Sequence, residues 1–403
     1  MPSDSRSTTS LSRRVRAISE SATLAMDRRA KELTAAGEQV ISFAAGEPDF
    51  ATPEVAVAAA ERACRDIRAH HYTPAAGLPE LREAVAVKTR RDAGVPVTAA
   101  NVMITSGTKQ AVAHAFTLLL DPGDEVLIPA PYWVTFPEAV TLAGGVPVPV
   151  FGDETTNFKL SVADLERCTT ERTKALLFVS PSNPTGAVYG LERMREIGEW
   201  AAGRGLWVVC DEIYDQFTYS GAVFHSLPAV VPELQARSIC LNGVAKAYAM
   251  TGWRVGWMVA PAEVITAAIN LQSHVCGNIS NVSQLAAVAA LDAGLEPVQR
   301  MRAVFAERRE RIVARLSNLP GFECLPPEGA FYAFPSVRGL VGHRVAGRVV
   351  QGSADLANIL LDEAKVAVVP GDAFGAPGYL RFSYALSEEE LEVGLDRLES
   401  LLA

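Results

Sequence analysis

One lysine of the chain lies in a segment that is otherwise apolar and punctuated by glycine. The segment NGVAKAYAMTGWRVGW, residues 242–257, carries Lys246 and, eight residues later, Arg254. Apolar surroundings disfavour the charged form of a lysine, which lowers its pKa and leaves a usable nucleophile. A Schiff base with an aldehyde cofactor is the natural use for such an amine.

A carboxylate ends a second apolar run, in the segment VVCDEIYDQF. Asp211 follows LWVVC, and burying its charge is costly unless a cation pairs with it. Tyr214 lies three residues further on, which is one turn away if a helix begins here. The alternative is an ordinary surface acid at the end of a strand.

A third segment, VMITSGTKQAVAHAF, runs from a strand into an amphipathic helix through residues 106–109. The N–H groups and the positive dipole end of a helix start bind phosphate, and the hydroxyls of Ser106 and Thr108 add donors. The alternative is that these hydroxyls only cap the helix.

The segment SPSNPTGAVY follows the apolar run KALLFVS, so Asn183 also stands at the end of a strand. Because Pro184 follows it, the backbone of Asn183 is biased towards an extended form and a cis bond is permitted. The alternative is a simple Asn-Pro turn without a role for the side chain.

Short apolar runs alternate with helical patterns along most of the chain, and these elements must position the four segments. The runs are 102–105, 124–130, 146–150, 174–180, 206–213, 238–244 and 255–260, and the helices between them include 109–120 and 191–203. Such alternation predicts a mostly parallel, seven-stranded sheet with helices on both faces. Active sites of these sheets form at the carboxyl ends of the strands.

The pattern changes after about residue 270, where a smaller α+β domain is predicted. A charged helix over 296–316 precedes short strands near 331–334, 366–369 and 379–383 and a terminal helix over 388–402. A helix over 22–36 is expected to pack with this part. The predicted division is a disordered lead-in (1–10), an N-terminal arm with part of the small domain (11–55), a large domain (56–299) and a small domain (300–403).

Composition excludes several classes of protein. The net charge is −9 over 403 residues with no dense basic block, so nucleic-acid binding has no electrostatic support. No apolar run reaches the length of a membrane span. Six scattered cysteines without a CxxC pair, and histidines without HExxH spacing, argue against zinc and disulfides and favour reduced thiols in a cytoplasmic protein.

A phosphate cradle, a buried carboxylate and a buried lysine, all at strand ends, meet the requirements of one small molecule. Pyridoxal 5′-phosphate needs a helix start and a cation for its phosphate, an acid for its pyridine nitrogen and a lysine for its aldehyde. The helix start after Ser106, together with Asp211 and Lys246, matches three of these needs.

At this point the chain resembles a known family, the class I aminotransferases, which are pyridoxal phosphate enzymes of fold type I. It is most similar to the bacterial aspartate aminotransferase subgroup, actinobacterial members in particular. The resemblance covers about residues 11–402 and rests on AAGEPDF, HYTPAAGLPELREAVA, LDPGDEVLIPAPYW, SPSNPTGAVY, DEIY, AKAYAMTGWRVGW, PEGAFYAFP and YLRFSYA.

The resemblance implies a role for each matching residue. Lys246 would hold the cofactor and then move a proton as base and acid, while Asp211 would pair with the pyridine nitrogen. The other implied cofactor contacts are Tyr214 and Asn183 at the phenolic oxygen, Trp133 on the ring, and Gly107, Thr108 and Arg254 at the phosphate. Tyr72 would reach the phosphate of the partner subunit, which implies a homodimer.

The resemblance also implies an acidic substrate. Arg381 would grip the α-carboxylate with a bidentate fork, helped by Asn183 and the Gly46 backbone. Lys109 and Thr23 would face a distal carboxylate, which favours aspartate and glutamate with their 2-oxo acids. Relatives that also transaminate prephenate carry a basic residue where Ser19 aligns here, so that activity is not expected.

Two departures from the family pattern keep an alternative open. Thr108 stands where the phosphate loop usually has glycine, and Cys276-Gly277 stands where relatives carry small hydroxyl residues near the substrate entrance. The alternatives are neutral drift, a different amino donor, or a lyase, cyclase or synthase on the same scaffold. A non-enzymatic sensor domain is disfavoured, because no DNA-binding region precedes the fold.

Overall fold

The computed structural model describes residues 11–18, 22–152 and 154–403. The predicted lead-in, 1–10, and Ser19 lie outside the described residues. The α-helices are α1 Arg13–Arg16, α2 Ala22–Ala35, α3 Glu54–Ala63, α4 Pro79–Lys88, α5 Gly107–Leu119, α6 Thr135–Leu142, α7 Val162–Cys168, α8 Leu191–Gly203, α9 Leu227–Val230, α10 Val244–Ala247, α11 Ala262–Val275, α12 Asn281–Asp292, α13 Glu296–Ser317, α14 Ser353–Ile359 and α15 Glu388–Leu402.

The strands follow the predicted runs closely. They are β1 Ile41–Ser42, β2 Val102–Thr105, β3 Glu125–Ala130, β4 Val146–Phe151, β5 Thr173–Val179, β6 Trp207–Asp211, β7 Ser238–Gly243, β8 Gly256–Val259, β9 Tyr332–Ala333, β10 Arg344–Val345, β11 Arg348–Val349, β12 Val366–Ala367, β13 Val369–Pro370 and β14 Leu380–Ser383. All seven predicted sheet strands are present, with ends that differ by one or two residues.

A seven-stranded sheet, ordered β2-β8-β7-β6-β5-β3-β4, forms the centre of the larger part. Its neighbouring strands are parallel except for β8, which is antiparallel to β7 and β2. Side chains on both faces are buried, as Val208, Val209 and Ile239 illustrate with no exposed surface. Burying each such side chain contributes about 1.5–3 kcal/mol, which explains why the runs lack polar alternation.

The strand register brings distant segments to one edge of the sheet. Asp211 at the end of β6 pairs with Val179 at the end of β5, and Gly243 at the end of β7 pairs with Gly256. Thr105 at the end of β2 pairs with the same Gly256. The residues that follow these strand ends must therefore lie close together.

The C-terminal part forms a smaller layer of helices on short strands. β13, β14 and β9 make an antiparallel sheet, and α13 packs against α15. Helix α2 joins this part as predicted, because it contacts β12 and β13 and Arg29 donates to Asn358 at 2.5 Å and to Asp362 at 2.6 Å. The expected boundary at residue 300 falls inside α13, which begins at Glu296.

No helix in the described part of the chain is long and apolar enough to cross a membrane.

Candidate active site

A cavity of about 380 Å³ opens at the carboxyl edge of the large sheet and reaches the small layer. It is lined by residues from both ends of the chain. The residues predicted for the site that line it are Thr23, Gly46, Thr108, Lys109, Trp133, Asn183, Asp211, Tyr214, Lys246, Arg254 and Arg381. Gly107 and Tyr72 are the two predicted residues that do not.

Lys246 reaches the cavity from α10, a single turn that begins directly after β7. Its Nζ donates to the Gly46 carbonyl. Burial lowers the pKa of Lys246 to about 8, with repulsion from Arg381 and Arg254 adding to the effect and attraction by Glu47 opposing it. The expected amine of lowered pKa is therefore present at the strand end, as the sequence predicted.

Asp211 stands at the end of β6 and is only 5% exposed, so it is not the surface acid of the alternative interpretation. Burial raises the pKa of Asp211 to about 6, against a hydrogen bond from the Ile213 amide and the attraction of Lys246. The next residues form a turn rather than a helix. This turn carries Tyr214, whose hydroxyl lies 2.7 Å from that of Tyr332.

Helix α5 begins at Gly107, and the Ser106 side chain does not cap it. Gly107 has a φ of +72°, and a Cβ there would lie 2.4 Å from Arg254 Nη2. Arg254 itself has a φ of +57°, a left-handed conformation that is rare for arginine and often marks a functional position. Because Gly107 has no side chain, the Arg254 guanidinium can approach the start of α5. A phosphate bound there would contact both the guanidinium and the free N–H groups of the helix.

The Thr108 hydroxyl, expected as an added donor for a phosphate, already donates within the protein. Its Oγ1 donates to the Asn242 carbonyl at 3.1 Å and so ties the helix start to the end of β7. The backbone of Thr108 packs closely on Gly256, where a Cβ would meet the Thr108 nitrogen at 2.4 Å. The threonine that replaces the usual glycine of the family therefore makes a contact within the protein. The backbone amides at the start of α5 stay available for a phosphate.

Arg381 projects from β14 and is 1% exposed. Its guanidinium donates to Asn183 Oδ1 at 3.1 Å and to the Ala44 carbonyl at 2.8 Å. Burial lowers its pKa, and no carboxylate partner is present among the described residues. Asn183 follows β5, and its bond to Pro184 is cis.

A second cation on the lining of the cavity is Lys109. Lys109 Nζ is 5.0 Å from the centre of the Trp133 ring. Burial and the repulsion of Arg254 lower the pKa of Lys109. Nearby on the lining, the Thr23 hydroxyl is buried without a hydrogen-bond partner among the described residues. Besides Lys246 and Arg254, the cavity lining therefore carries two further cations, Arg381 and Lys109.

Tyr72, Cys276 and Gly277 do not line the cavity of a single chain. Tyr72 is 98% exposed. Its loop is held by Asn281, whose amide donates to the His71 carbonyl at 2.7 Å, and by Gln272, which donates to the Ala75 carbonyl at 2.7 Å. The Tyr72 loop and the Cys276 segment therefore share one surface.

Several lining residues were not predicted. Tyr332 contacts Tyr214 and lies under Arg381, whose guanidinium carbon is 4.5 Å from the ring centre. Glu47 accepts from Thr251 at 2.7 Å, and Asp27 pairs with Lys31 at 2.8 Å. Tyr332 and Glu47 lie within the motifs PEGAFYAFP and AAGEPDF, which therefore contained a signal for them.

One group of metal-ligand residue types lies behind Asp211, although sequence spacing had indicated none. The ligand atoms of Cys210, Glu212 and Cys240 lie within 4.8 Å of one another. Ser226 donates to Glu212 at 2.6 Å. Spacing misses such a group because two of its members face each other across neighbouring strands.

Comparison with known proteins assigns the family. The sequence profile "Aminotransferase class I and II" matches residues 38–398. An aspartate aminotransferase of Streptomyces avermitilis is 58% identical over 98% of this chain and 96% of its own length. One from Geobacillus stearothermophilus is 44% identical over 97% and 98%.

Solved structures agree with these relatives. The aspartate aminotransferase of Rhizobium meliloti superposes with a TM-score of 0.93 at 37% identity, covering 98% of this chain and 99% of that one. The Thermus thermophilus enzyme, solved with maleate, gives 0.91 at 40% identity, covering 98% and 100%. The chain therefore belongs to the class I and II aminotransferase family, with the fold of type I pyridoxal phosphate enzymes. It is an aminotransferase, and its cofactor is pyridoxal 5′-phosphate.

The residues present fit this cofactor. The cavity has an amine of lowered pKa in Lys246, a buried acid in Asp211 and, beside Arg254, a helix start without a side-chain cap. Trp133 adds an aromatic surface on the lining.

Proposed function

We propose that this protein is an aspartate aminotransferase, which moves the amino group between aspartate or glutamate and the matching 2-oxo acids. The observation that carries the proposal is the pair of cationic positions in one cavity. Arg381 is almost fully buried without a carboxylate partner in the described chain, and Lys109, over the Trp133 ring, lines the same cavity. A dicarboxylate supplies one anion to each, and maleate in the Thermus thermophilus structure is a molecule of that kind.

The bound cofactor supplies an aldehyde that accepts the amino group and a ring that withdraws electrons from the reacting carbon. Lys246 holds it and moves the proton, for which a pKa of about 8 is well placed near neutral pH. Asp211 would pair with the ring nitrogen. Its own pKa of about 6 leaves the carboxylate ionised at neutral pH, so that it favours a protonated ring nitrogen.

The remaining contacts follow from the lining. Arg254 and the amides of Gly107 and Thr108 receive the phosphate, and Trp133 covers the ring. Tyr214 and Asn183 donate to the phenolic oxygen. Because Asn183 Oδ1 already accepts from Arg381, its amide nitrogen remains as the donor.

Arg381 holds the substrate α-carboxylate with its planar fork. Its hydrogen bonds to Asn183 and the Ala44 carbonyl fix the guanidinium before substrate arrives, which reduces the entropy lost on binding. The backbone N–H of Gly46, whose carbonyl accepts from Lys246, is a further donor to this carboxylate. Lys109 and Thr23 receive the distal carboxylate.

A second copy of the chain completes the site in this proposal, with Tyr72 reaching the partner's phosphate. Family members are typically dimeric, and the exposed Tyr72 loop is well supported by Asn281 and Gln272. A tyrosine that is 98% exposed on a fixed loop is suited to a partner surface.

The specialised lyase, cyclase or synthase is not favoured. Relatives at 41–58% identity are aspartate aminotransferases. The contact of Thr108 with Asn242 leaves the phosphate position intact. We also propose the domain division stated above and a cytoplasmic location, which the six free thiols support.

The decisive experiment mixes the cofactor-loaded protein with single amino acids and follows the loss of its visible absorption. We expect fast reactions with aspartate and glutamate and slow ones with alanine. In Lys109→Gln the preference for aspartate over alanine should fall roughly 10-fold, because one charged hydrogen bond is lost. A colourless wild-type protein that binds no cofactor, or silence with both acidic amino acids, would contradict the proposal.

A further inference from the structure

A buried cluster of charges lies behind the active site, outside its lining. Lys88, at the end of α4, is 4% exposed. Its Nζ donates to Asp215 and lies 3.3 Å from Asp92 Oδ2. Asp92 also accepts from Arg91 at 2.6 Å. Full burial of a lysine with two carboxylates is unusual and demands strict geometry, because the desolvation of the charges must be offset by their contacts.

The cluster holds the turn that carries the catalytic residues. Asp215 and Gln216 are successive residues of this turn, and both side chains are bound from behind. Asp215 contacts Lys88, and Gln216 Nε2 donates to Asp92 at 3.2 Å. Within the turn the Phe217 amide donates to the Tyr214 carbonyl at 2.9 Å. Tyr214 is therefore the residue before the ion-paired Asp215 and belongs to the same hydrogen-bonded turn.

The same cluster also borders the segment of the covalent lysine. Tyr248 follows Lys246 by two residues and is buried. Burial raises its pKa, while Lys88 and Arg91 lower it through their charge, so its hydroxyl lies within electrostatic range of the cluster. The cluster around Lys88 therefore borders both the turn after β6 and the turn after β7.

We propose that Lys88, through Asp215, is a positioning residue of the aminotransferase reaction. It sets where Asp211 and Tyr214 stand relative to Lys246. Neither Lys88 nor Asp215 lines the cavity, so neither contacts the position of the cofactor, and a displacement caused by their ion pair reaches it through the turn. The inference rests on the roles given to these residues in the proposed function.

The test compares two buried acids that each pair with a cation. Asp215→Asn removes the charge behind the catalytic turn. Glu125→Gln is the matched control, because Glu125 is 4% exposed and pairs with Arg172 at 2.5 Å, but at the amino end of β3, the opposite edge of the sheet. The pH midpoint of the visible cofactor absorption, kcat, KM for aspartate and Tm are measured for both.

In Asp215→Asn the midpoint should rise by about half a pH unit or more, because a displaced Tyr214 stabilises the deprotonated phenolic oxygen less well. The value of kcat should fall roughly 10-fold with KM within about twofold, as expected for misplaced catalytic groups. Glu125→Gln should lower Tm and leave the midpoint and kcat at the wild-type values. The shift of the pH midpoint from the wild-type value should be smaller in Lys88→Arg than in Lys88→Met.

Hydrogen exchange of the Ile213 and Phe217 amides in the cofactor-free protein gives a readout that does not depend on the cofactor. It should be faster in Asp215→Asn than in wild type. An unchanged midpoint together with unchanged exchange overturns the positioning role, as does an equal midpoint shift in Glu125→Gln. A wild-type protein without a visible band counts against the proposed function, and the exchange result then decides the positioning role alone.

Discussion

Two regions of the molecule use the same charged residue types in opposite ways. On the face between α13 and α15, Arg315 donates to Glu392 at 2.6 Å, to Asp396 at 2.7 Å and to Glu399 at 2.7 Å. The hydrogen bond from Arg315 to Glu399 is the largest reason that the pKa of Arg315 is raised. Arg315 and these three acids are all paired with an opposite charge, and the three acids remain in contact with water.

At the carboxyl edge of the sheet the pKa shifts run the other way. Burial lowers the pKa of Arg381 and of Lys246, and raises that of Asp211. A buried charge without an opposite charge nearby is destabilised by its loss of solvation. A ligand of opposite charge removes this destabilisation when it binds. The contrast teaches that the incompletely paired charges, rather than the charges as such, mark the site.

The largest effect should come from Lys246→Ala. We expect the visible cofactor absorption to disappear and the transamination rate to fall roughly 10⁴-fold, because this amine both holds the cofactor and moves the proton. The control is Lys174→Ala, which changes a partly exposed lysine 3.9 Å from Asp124 and should behave as wild type. Retention of the visible band in Lys246→Ala would refute the assignment.

Arg381→Lys should have the next largest effect. The kcat/KM for every amino acid should fall roughly 10- to 100-fold, because a single ammonium replaces a fork that makes two charged hydrogen bonds. Steady-state kinetics with aspartate and alanine measure this, with Arg204→Lys in the surface pair with Glu166 as the control. Unchanged kinetics would mean that another residue receives the α-carboxylate.

Glu212, a buried acid next to Asp211, should make the stability of the protein depend on pH. Burial raises the pKa of Glu212 from 4.5 to about 8. Below pH 4.5 the Glu212 carboxyl is protonated in both the folded and the unfolded protein. Between pH 4.5 and about 8 it ionises only in the unfolded protein, so the free energy of unfolding falls as the pH rises. Above about pH 8 it is ionised in both states and this contribution falls no further.

Glu212→Gln should remove this dependence. Its free energy of unfolding relative to wild type should increase by roughly 3.5 kcal/mol between pH 5 and pH 8, since each pH unit between the two pKa values corresponds to about 1.4 kcal/mol. Urea titrations at the two pH values provide the measurement. A difference that is the same at both values would show that Glu212 keeps an ordinary pKa.

The smallest effect should come from the paired face. Arg315→Gln should lower the free energy of unfolding by roughly 1 kcal/mol or less, because partly exposed ion pairs contribute little, and it should leave kcat and KM unchanged. A loss of activity here would break the contrast between the two regions.

The fold was predictable in large part because apolar runs report burial directly. All seven strands of the large sheet are present, and the helices predicted over 191–203 and 388–402 have those bounds. The turn at Tyr214 was harder, since its conformation depends on Asp215 and Gln216 being held by Lys88 and Asp92. Those partners lie more than a hundred residues away in the chain.

The sequence by itself determined the chemistry: a lysine, an acid, a helix start and two cations at the ends of apolar strands. Strand hydrophobicity and family motifs are local properties, so they can be read along the chain. Only the tertiary structure decided that Thr108 binds Asn242, that Tyr332 lies under Arg381 and that Tyr72 does not line its own cavity. Such contacts join segments that are distant in sequence, and their geometry follows from sheet register and domain packing rather than from spacing.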